Sequence, residues 1–196
     1  MTRSNPPSLP SNEHSRTALR ETLRMRRAAL SAQARITAAG ALVAQLEQVP
    51  EFLTDRRIGG YWAVAGELPL AALMQGLRAR NQDYFLPVVG TDRRLTFARW
   101  QPRMEITMNR YGIPEPVCAA AERLAPEQLD VVLLPLLGFD RTGQRLGFGG
   151  GYYDRSFAFL KDRSDVGKPV LIGVGYATQE VAAMETMKLD VRLDYI

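Results

Sequence analysis

The segment of residues 140–155, DRTGQRLGFGGGYYDR, has the residue types in this sequence that are best suited to binding an anion. It places five glycines among its residues and ends with two tyrosines, an aspartate and an arginine. Glycines let backbone amides approach a ligand closely, and the unpaired N–H groups at the start of a helix attract negative charge. The pattern therefore predicts a loop that binds phosphate.

The glycine pattern alone does not identify the phosphate compound. Residues 147–152 lack the third glycine of a dinucleotide-binding fingerprint, and the Gly-Lys-Ser/Thr of a Walker A loop is absent from the sequence. A flexible connection between a strand and a helix is the alternative interpretation of the same glycines.

The composition argues against two common types of active site. The single histidine, His14, lies near the N-terminus, and the single cysteine, Cys118, has no partner for an internal disulfide. A Ser–His–Asp or Cys–His nucleophile would have to recruit His14, and a His/Cys zinc site lacks ligands. We therefore expect chemistry that depends on Asp, Glu, Lys, Arg, Tyr and backbone amides. The lone cysteine also favours a reducing, cytoplasmic setting.

The positive charge is concentrated near the N-terminus. Residues 1–35 contain seven arginines and two glutamates, a net charge of +5, whereas the whole chain carries +4. The remainder therefore sums to −1, which favours a compact anion site over a broad nucleic-acid surface. No segment has the roughly 18 uninterrupted apolar residues of a membrane span. We expect a monomer that acts on a small molecule, without nucleic acid or membrane partners.

The N-terminal region predicts a tail followed by a helix. Residues 1–15 are rich in proline and serine and predict a disordered tail, which leaves 16–196 as a single domain. Leucines spaced by four and seven residues predict a helix over 16–30. A stripe of arginines lies beside this apolar face: Arg16, Arg20, Arg24 and Arg27. We expect Arg24 and Arg27 to lie on the solvated side of the helix.

The rest of the chain alternates between strand and helix patterns. Ser31 is suited to cap a second helix that runs to about Glu47, with Pro50 as its terminator. The predicted strands are 57–64, 83–89, 95–100, 129–139 and 168–176, and the further helices are 68–80, 152–163 and 178–187. This order predicts an α/β fold, a single-domain three-layer sandwich with a mostly parallel central sheet. Ligands bind beyond the carboxyl ends of such strands, where the glycine segment begins.

The longer string LPLLGFDRTGQRLGFGGGYYDR closely resembles the signature of the 5-formyltetrahydrofolate cyclo-ligase family, also called methenyltetrahydrofolate synthetases. The resemblance extends from about Arg16 to the C-terminus. Arg16 and Arg20 resemble an opening Lys-x-x-x-Arg motif, with arginine in place of lysine. GYWAVAGELPL and YGIPEP resemble the second and third blocks of the family, in the same order along the chain.

The resemblance implies an ATP-dependent enzyme that converts 5-formyltetrahydrofolate to 5,10-methenyltetrahydrofolate, with release of ADP and phosphate and with Mg²⁺ as the metal. Two alternatives stay open at this point. In the first, the chain is a non-catalytic relative that binds nucleotide or folate. In the second, it is a different ATP-dependent ligase on the same fold.

The resemblance also implies which residues form the site. Those implied to bind ATP are Arg16, Arg20, Arg145, Gly147, Phe148, Gly149, Gly150, Gly151, Tyr152 and Tyr153. Those implied to bind folate are Trp62, Glu67, Tyr111, Phe148 and Tyr152. Asp154 stands at the position of the family's magnesium ligand. A second acidic ligand is frequent in the family, but this sequence has Thr186 there, with Glu185 beside it.

Overall fold

The computed structural model describes residues 12–161 and 167–196. The helices are α1 (Asn12–Ala28), α2 (Ala32–Leu46), α3 (Pro50–Thr54), α4 (Met74–Ala79) and α5 (Tyr152–Ser156). The strands are β1 (Arg57–Gly59), β2 (Asp83–Val89), β3 (Leu95–Arg99), β4 (Ile106–Met108), β5 (Pro114–Pro116), β6 (Val131–Pro135), β7 (Gly138–Phe139), β8 (Arg145–Leu146) and β9 (Val170–Val174). Among the described residues, no helix combines the length and apolarity that a membrane crossing requires.

Five strands form the central sheet in the order β3-β2-β1-β6-β9. Strands β2, β1, β6 and β9 run parallel, and β3 returns antiparallel to β2 through a short turn. The prediction of a mostly parallel sheet is thus confirmed. Two small hairpins, β4–β5 and β7–β8, lie outside this sheet.

Both faces of the sheet are covered, which explains the near-continuous apolar run of β6. Val131 and Leu133 pack on one side with apolar residues of α2, α3 and α4. Val132 and Leu134 pack on the other side with Phe157 and with residues of the C-terminal segment. Side chains of a strand alternate between faces, so a strand buried on both sides needs apolar residues at every position. The chain therefore forms the predicted three layers.

The first helices differ from the sequence prediction at their ends. Helix α1 begins at Asn12, so residues 12–15 are helical and do not belong to a tail; residues 1–11 lie outside the described residues. Ser31 caps α2 as predicted, because its Oγ accepts a hydrogen bond from Ala34 N–H. Pro50 does not terminate α2, which ends at Leu46. It starts α3 instead, at the position where proline's missing N–H has no cost.

Several predicted elements are shorter or absent. The strand predicted over 57–64 ends at Gly59, and the predicted helix 68–80 consists of a short 3₁₀ turn followed by α4. The helix predicted over 152–163 is only α5 and a second 3₁₀ turn, with 162 and 163 outside the described residues. These differences lie mostly in the connections that follow the strands.

The helix predicted over 178–187 is wrong. The structure has a 3₁₀ turn at Ala177–Gln179 and then irregular chain. Met184 N–H donates to Asp140, and the carbonyl of Glu185 accepts from Arg16. These long-range hydrogen bonds use the backbone groups that a helix would pair internally, so tertiary contacts override the local pattern.

Candidate functional site

The candidate site lies beyond the carboxyl ends of β1, β6 and β9, where helix α1 crosses the loops that follow these strands. Leu23 of α1 is fully buried there and packs against Gly138. A Cβ atom at position 138 would lie 2.5 Å from Leu23 Cδ1, so only glycine allows α1 to pack this closely. This contact brings the arginine-bearing helix next to the glycine loop.

The glycine loop follows the β7–β8 hairpin. Asp140 stabilises the hairpin turn, since its Oδ1 accepts hydrogen bonds from the N–H groups of Thr142 and Gln144. Within the loop, Gly149 and Gly151 have φ angles of 103° and 65°. These values lie in the left-handed region, which glycine adopts without strain. The glycines are therefore required by the conformation of the loop.

Arg20 joins α1 to this loop, because its Nε donates a 3.0 Å hydrogen bond to the carbonyl of Gly147. Arg16, one turn earlier, pairs with Asp190 at 2.8 Å and also donates to the carbonyl of Glu185. The Nε of Arg16 is buried and has no hydrogen-bond partner within the described chain. Two of the predicted phosphate contacts thus lie at the junction of α1, the loop and the C-terminal segment.

Arg145 and Asp154 form a largely buried ion pair at 2.7 Å. The same oxygen of Asp154, Oδ1, accepts a hydrogen bond from Val191 N–H. The guanidinium of Arg145 lies over the ring of Tyr153, and its Nε is another buried donor without a partner among the described residues. Buried cationic donors that lack acceptors are suited to an incoming anion.

Asp154 fits a magnesium ion that is held mainly by a phosphate compound. Its described hydrogen bonds reach only Oδ1, so Oδ2 accepts none from the described residues. The described residues contain no group of three or more His, Cys, Asp or Glu side chains placed to hold a metal. Mg²⁺ commonly takes one or two carboxylates and completes its octahedron with phosphate oxygens and water. Thr186 and Glu185 both lie exposed in the irregular C-terminal segment.

The tip of the β4–β5 hairpin contacts the first residue of α5. The hydroxyl of Tyr152 is hydrogen-bonded to that of Tyr111 and accepts a 2.7 Å hydrogen bond from Arg110. The two tyrosine rings meet edge to face, with centroids 5.9 Å apart. The hydrogen bond from Tyr111 and then the positive charge of Arg110 lower the pKa of Tyr152. Tyr111 is nevertheless 55% exposed, so it presents most of its ring to solvent.

Glu67 is a buried carboxylate, with 8% of its surface exposed. Its Oε2 accepts a 3.0 Å hydrogen bond from Val64 N–H. Burial raises the pKa of Glu67 to about 7, although this hydrogen bond and the charge of Arg27 act in the opposite direction. Burial also raises the pKa of Tyr153, and the nearby charge of Glu67 adds to that effect. Trp62, on the same segment, is 37% exposed.

Arg27 is not on a solvated face, and this part of the sequence prediction is wrong. Only 3% of its surface is exposed, and its guanidinium carbon lies 5.2 Å from the centroid of the Phe148 ring. Arg24, on the same helix, is exposed as predicted and pairs with Glu21. Position on the helix separates the two arginines, because Arg27 follows the buried Leu23 by four positions and shares its face, whereas Arg24 is turned away from it. On this side the ring of Phe148 in the glycine loop covers Arg27.

Comparison with known proteins identifies the family of this chain. A sequence model described as the 5-formyltetrahydrofolate cyclo-ligase family matches residues 12–196. The chain belongs to this family.

Curated cyclo-ligases and solved structures agree with that placement. The 5-formyltetrahydrofolate cyclo-ligase of Haemophilus influenzae is 33% identical over 184 residues, which span 93% of this chain and 96% of that protein. The Escherichia coli cyclo-ligase is 32% identical over 68% of this chain and 75% of its own length. The structure of Aquifex aeolicus 5,10-methenyltetrahydrofolate synthetase superposes with a TM-score of 0.76 at 28% identity, covering 91% of this chain and 87% of that one.

In this cyclo-ligase family member, the structure adds residues that sequence reasoning missed. Asp190 holds Arg16, Arg110 holds Tyr152, and Arg27 lies beneath Phe148. Arg110 directly precedes the YGIPEP block, so its position in the sequence was a usable signal. Arg27 follows Leu23 by four positions, so its place beside the apolar face was also a signal. Asp190 carries no such local signal, because its partner Arg16 is 174 positions away in the chain.

Proposed function

We propose that this chain converts 5-formyltetrahydrofolate to 5,10-methenyltetrahydrofolate, with cleavage of ATP to ADP and phosphate. The proposal rests on one observation: arginines suited to phosphate and a buried carboxylate suited to a heterocycle lie at the same edge of the sheet. Arg20 bonded to the Gly147 carbonyl and the buried Arg145 line an anion site. The buried Glu67 lies near Tyr153, the second tyrosine that follows the glycine loop. A phosphate compound and a heterocycle with hydrogen-bond donors therefore fit side by side.

The reaction needs positioning and charge neutralisation more than a proton-transferring histidine. The formyl oxygen attacks the γ-phosphorus of ATP, and ADP leaves with the electrons of the broken P–O bond. N10 then attacks the activated formyl carbon and the ring closes. The C–O bond breaks, the former formyl oxygen leaves as part of inorganic phosphate, and the N10 proton passes to the departing phosphate. We assign Arg16, Arg20 and Arg145 to the phosphates, where fixed positive charge stabilises a phosphoryl transition state.

The loop residues complete the proposed nucleotide site. We assign the backbone of Gly147, Phe148, Gly149, Gly150 and Gly151 to the phosphates, together with Tyr152 and Tyr153. Asp154 would hold Mg²⁺ through Oδ2. When bound, the metal neutralises charge on the phosphate oxygens. Arg145 keeps the Asp154 carboxylate oriented through their ion pair.

Glu67 is the residue that we assign to the pterin ring. The 2-amino group and N3–H of a pterin are adjacent donors, and a carboxylate accepts such a pair well. We assign the ring surface for the pterin to Trp62, Tyr111, Tyr152 and Phe148; Trp62, Tyr111 and Phe148 are exposed in this structure. Exposed aromatic rings together with a buried carboxylate are suited to a flat heterocycle that needs both contacts.

The test is the absorbance of the methenyl product, recorded with purified chain and 5-formyltetrahydrofolate in the presence and absence of ATP. We expect product only when ATP and a divalent metal are both present. Binding of both ligands without any product would instead identify a non-catalytic relative. Product formation in excess chelator would contradict the role given to Mg²⁺.

We also expect the chain to act as a monomer in the cytoplasm. The support for the cytoplasm is compositional: the single cysteine, Cys118, cannot form an internal disulfide. Light scattering of the purified chain tests the oligomeric state, and a dimeric mass would contradict the expectation.

A further inference from the structure

Arg27 has a buried cationic group that the proposed reaction does not yet use. Its Nη1 is buried and finds no hydrogen-bond partner among the described residues. A buried guanidinium N–H without an acceptor costs free energy, so such a group in a native site points to a missing partner.

Arg35 holds Arg27 close to Glu67. Its Nη2 donates to the carbonyl of Arg27 at 2.6 Å, and its Nη1 donates to the carbonyl of Gly66 at 2.9 Å. One guanidinium thus ties the end of α1 to the residue that precedes Glu67. Position 66 has a φ of 81°, and a Cβ there would lie 2.8 Å from Arg35 Nη1, so both the turn and the clamp require glycine.

Arg27 and Glu67 attract each other without forming a direct ion pair among the described side chains. Glu67 uses Oε2 for the backbone of Val64, and no hydrogen bond from a described residue reaches its Oε1. Glu67 Oε1 and Arg27 Nη1 therefore both lack a hydrogen-bond partner among the described residues, and they lie in the same part of the site. A ligand with adjacent donor and acceptor groups would satisfy both.

We propose that Arg27 is a second folate-contacting residue, whose Nη1 donates a hydrogen bond to the ring carbonyl oxygen of the pterin. The proposal rests on the proposed folate site at Glu67. Along one edge of the pterin, the 2-amino group and N3–H are donors and the neighbouring carbonyl oxygen is an acceptor. Glu67 would accept hydrogen bonds from the two donors, and Arg27 would donate one to the carbonyl oxygen. The two residues together would therefore select a 2-amino-4-oxo heterocycle.

Phe148 controls access to this donor. Its ring lies over the guanidinium of Arg27, yet 40% of the residue is exposed. Binding of the ring carbonyl requires the Phe148 side chain to turn aside, which exchanges one cation–π contact for a charged hydrogen bond.

The test measures equilibrium binding of two ligands to the full chain without ATP. One ligand is 5-formyltetrahydrofolate, and the other is its counterpart with sulfur in place of the ring carbonyl oxygen. Sulfur is a weaker acceptor, but the two donors that face Glu67 are kept. The native chain should bind the oxygen compound about tenfold or more tightly than the sulfur compound, the range for a hydrogen bond to a charged group.

Arg27→Met should bind the oxygen compound at least about tenfold more weakly and should lose the discrimination between the two ligands. Glu67→Gln should also bind weakly but should keep the discrimination. Arg24→Met, a matched change on the exposed side of α1, should alter neither quantity. The proposal would be overturned if Arg27→Met had the same ratio of affinities for the oxygen and sulfur compounds as the native chain. It would also be overturned if the native chain bound the two compounds equally well.

Arg27→Met should fold, because a buried cation that makes no direct ion pair among the described side chains is replaced by an apolar side chain of similar length. If its circular dichroism spectrum shows otherwise, Arg27→Gln takes its place. The glutamine amide offers one neutral donor, so the discrimination should fall severalfold, and an unchanged ratio would again contradict the proposal. A native chain that binds neither folate compound would instead contradict the proposed function itself.

Discussion

At the scale of single residues, the site depends on charges that are buried but incompletely paired. Arg16, Arg27 and Arg145 each keep one buried nitrogen without a described partner. Their common property is a cationic donor in a place from which water is largely excluded, where a charged hydrogen bond contributes more than it does at the surface. Substitutions here should change ligand binding more than they change the fold.

Glu67→Gln should weaken folate binding by about ten- to a hundredfold and leave ATP binding nearly unchanged. The substitution keeps the size of the side chain but turns one acceptor oxygen into a donor that faces the donors of the pterin. Separate titrations with 5-formyltetrahydrofolate and with ATP measure the two affinities. Loss of ATP affinity with normal folate affinity would refute the assignment.

Folate affinity should rise with pH through neutrality. Burial raises the pKa of Glu67 to about 7, so below that pH the carboxyl is protonated and loses its charge as an acceptor. Arg27 lowers this pKa. The charge of Glu67 in turn raises the pKa of the neighbouring Tyr61 and Tyr153. In Arg27→Met the rise in affinity should therefore move to higher pH. An affinity that is flat between pH 6 and 8 in the native chain would show that the ionised form is not needed; this interval spans about one unit on each side of a pKa near 7.

Asp154→Asn should lower turnover by orders of magnitude, since a neutral amide is a poor ligand for Mg²⁺. Added Mg²⁺ should restore part of the rate, and the binding of Mg²⁺ in the presence of ADP should weaken in calorimetry. Thr186→Asp is the control: it adds a carboxylate and should leave the rate intact or lower the Mg²⁺ requirement. Normal turnover of Asp154→Asn at limiting Mg²⁺ would place the metal elsewhere.

At the scale of elements, the docking of α1 depends on one glycine. Gly138→Ala places a Cβ 2.5 Å from Leu23 Cδ1 and should destabilise the chain by about 1–3 kcal/mol, the usual cost of overpacking. Gly40→Ala is the matched control. It lies inside α2 with no atom within 4 Å of the new Cβ, and should stabilise the chain by about 0.5–1 kcal/mol. Urea unfolding of both variants measures the difference, and equal midpoints would contradict this account of the contact.

Sequence patterns predicted the elements whose structure is set locally or by burial on two faces. The apolar run of β6 and the Ser31 cap of α2 are of this kind. The irregular chain after Gln179 was mispredicted as a helix, because its backbone bonds to Asp140 and Arg16, which lie far away in the sequence. Arg27 was misplaced for a different reason: it lies four positions after Leu23, beside the apolar face, and the Phe148 ring of the glycine loop covers it there.

At the scale of the whole molecule, we expect the N-terminal boundary of the functional unit to lie near Asn12, where α1 begins. Deletion of residues 1–11 should leave turnover unchanged, because α1 and all of its arginines are retained. A deletion that extends through Arg20 should abolish measurable ATP binding, since both Arg16 and Arg20 are lost. Calorimetric titration with ATP separates the two truncations. A loss of turnover after the shorter deletion would assign a role to the first eleven residues.

The ion pair between Arg16 and Asp190 joins residues that are 174 positions apart in the chain. Contacts of such sequence separation close large loops and form late in folding. On the ribosome, the helix that carries Arg16 is therefore synthesised well before its partner. Asp190 and the core residues Val191 and Leu193 belong to the same segment, so the anion site and the cover of the central sheet are completed together. A nascent chain that still lacks this segment would not have a competent nucleotide site.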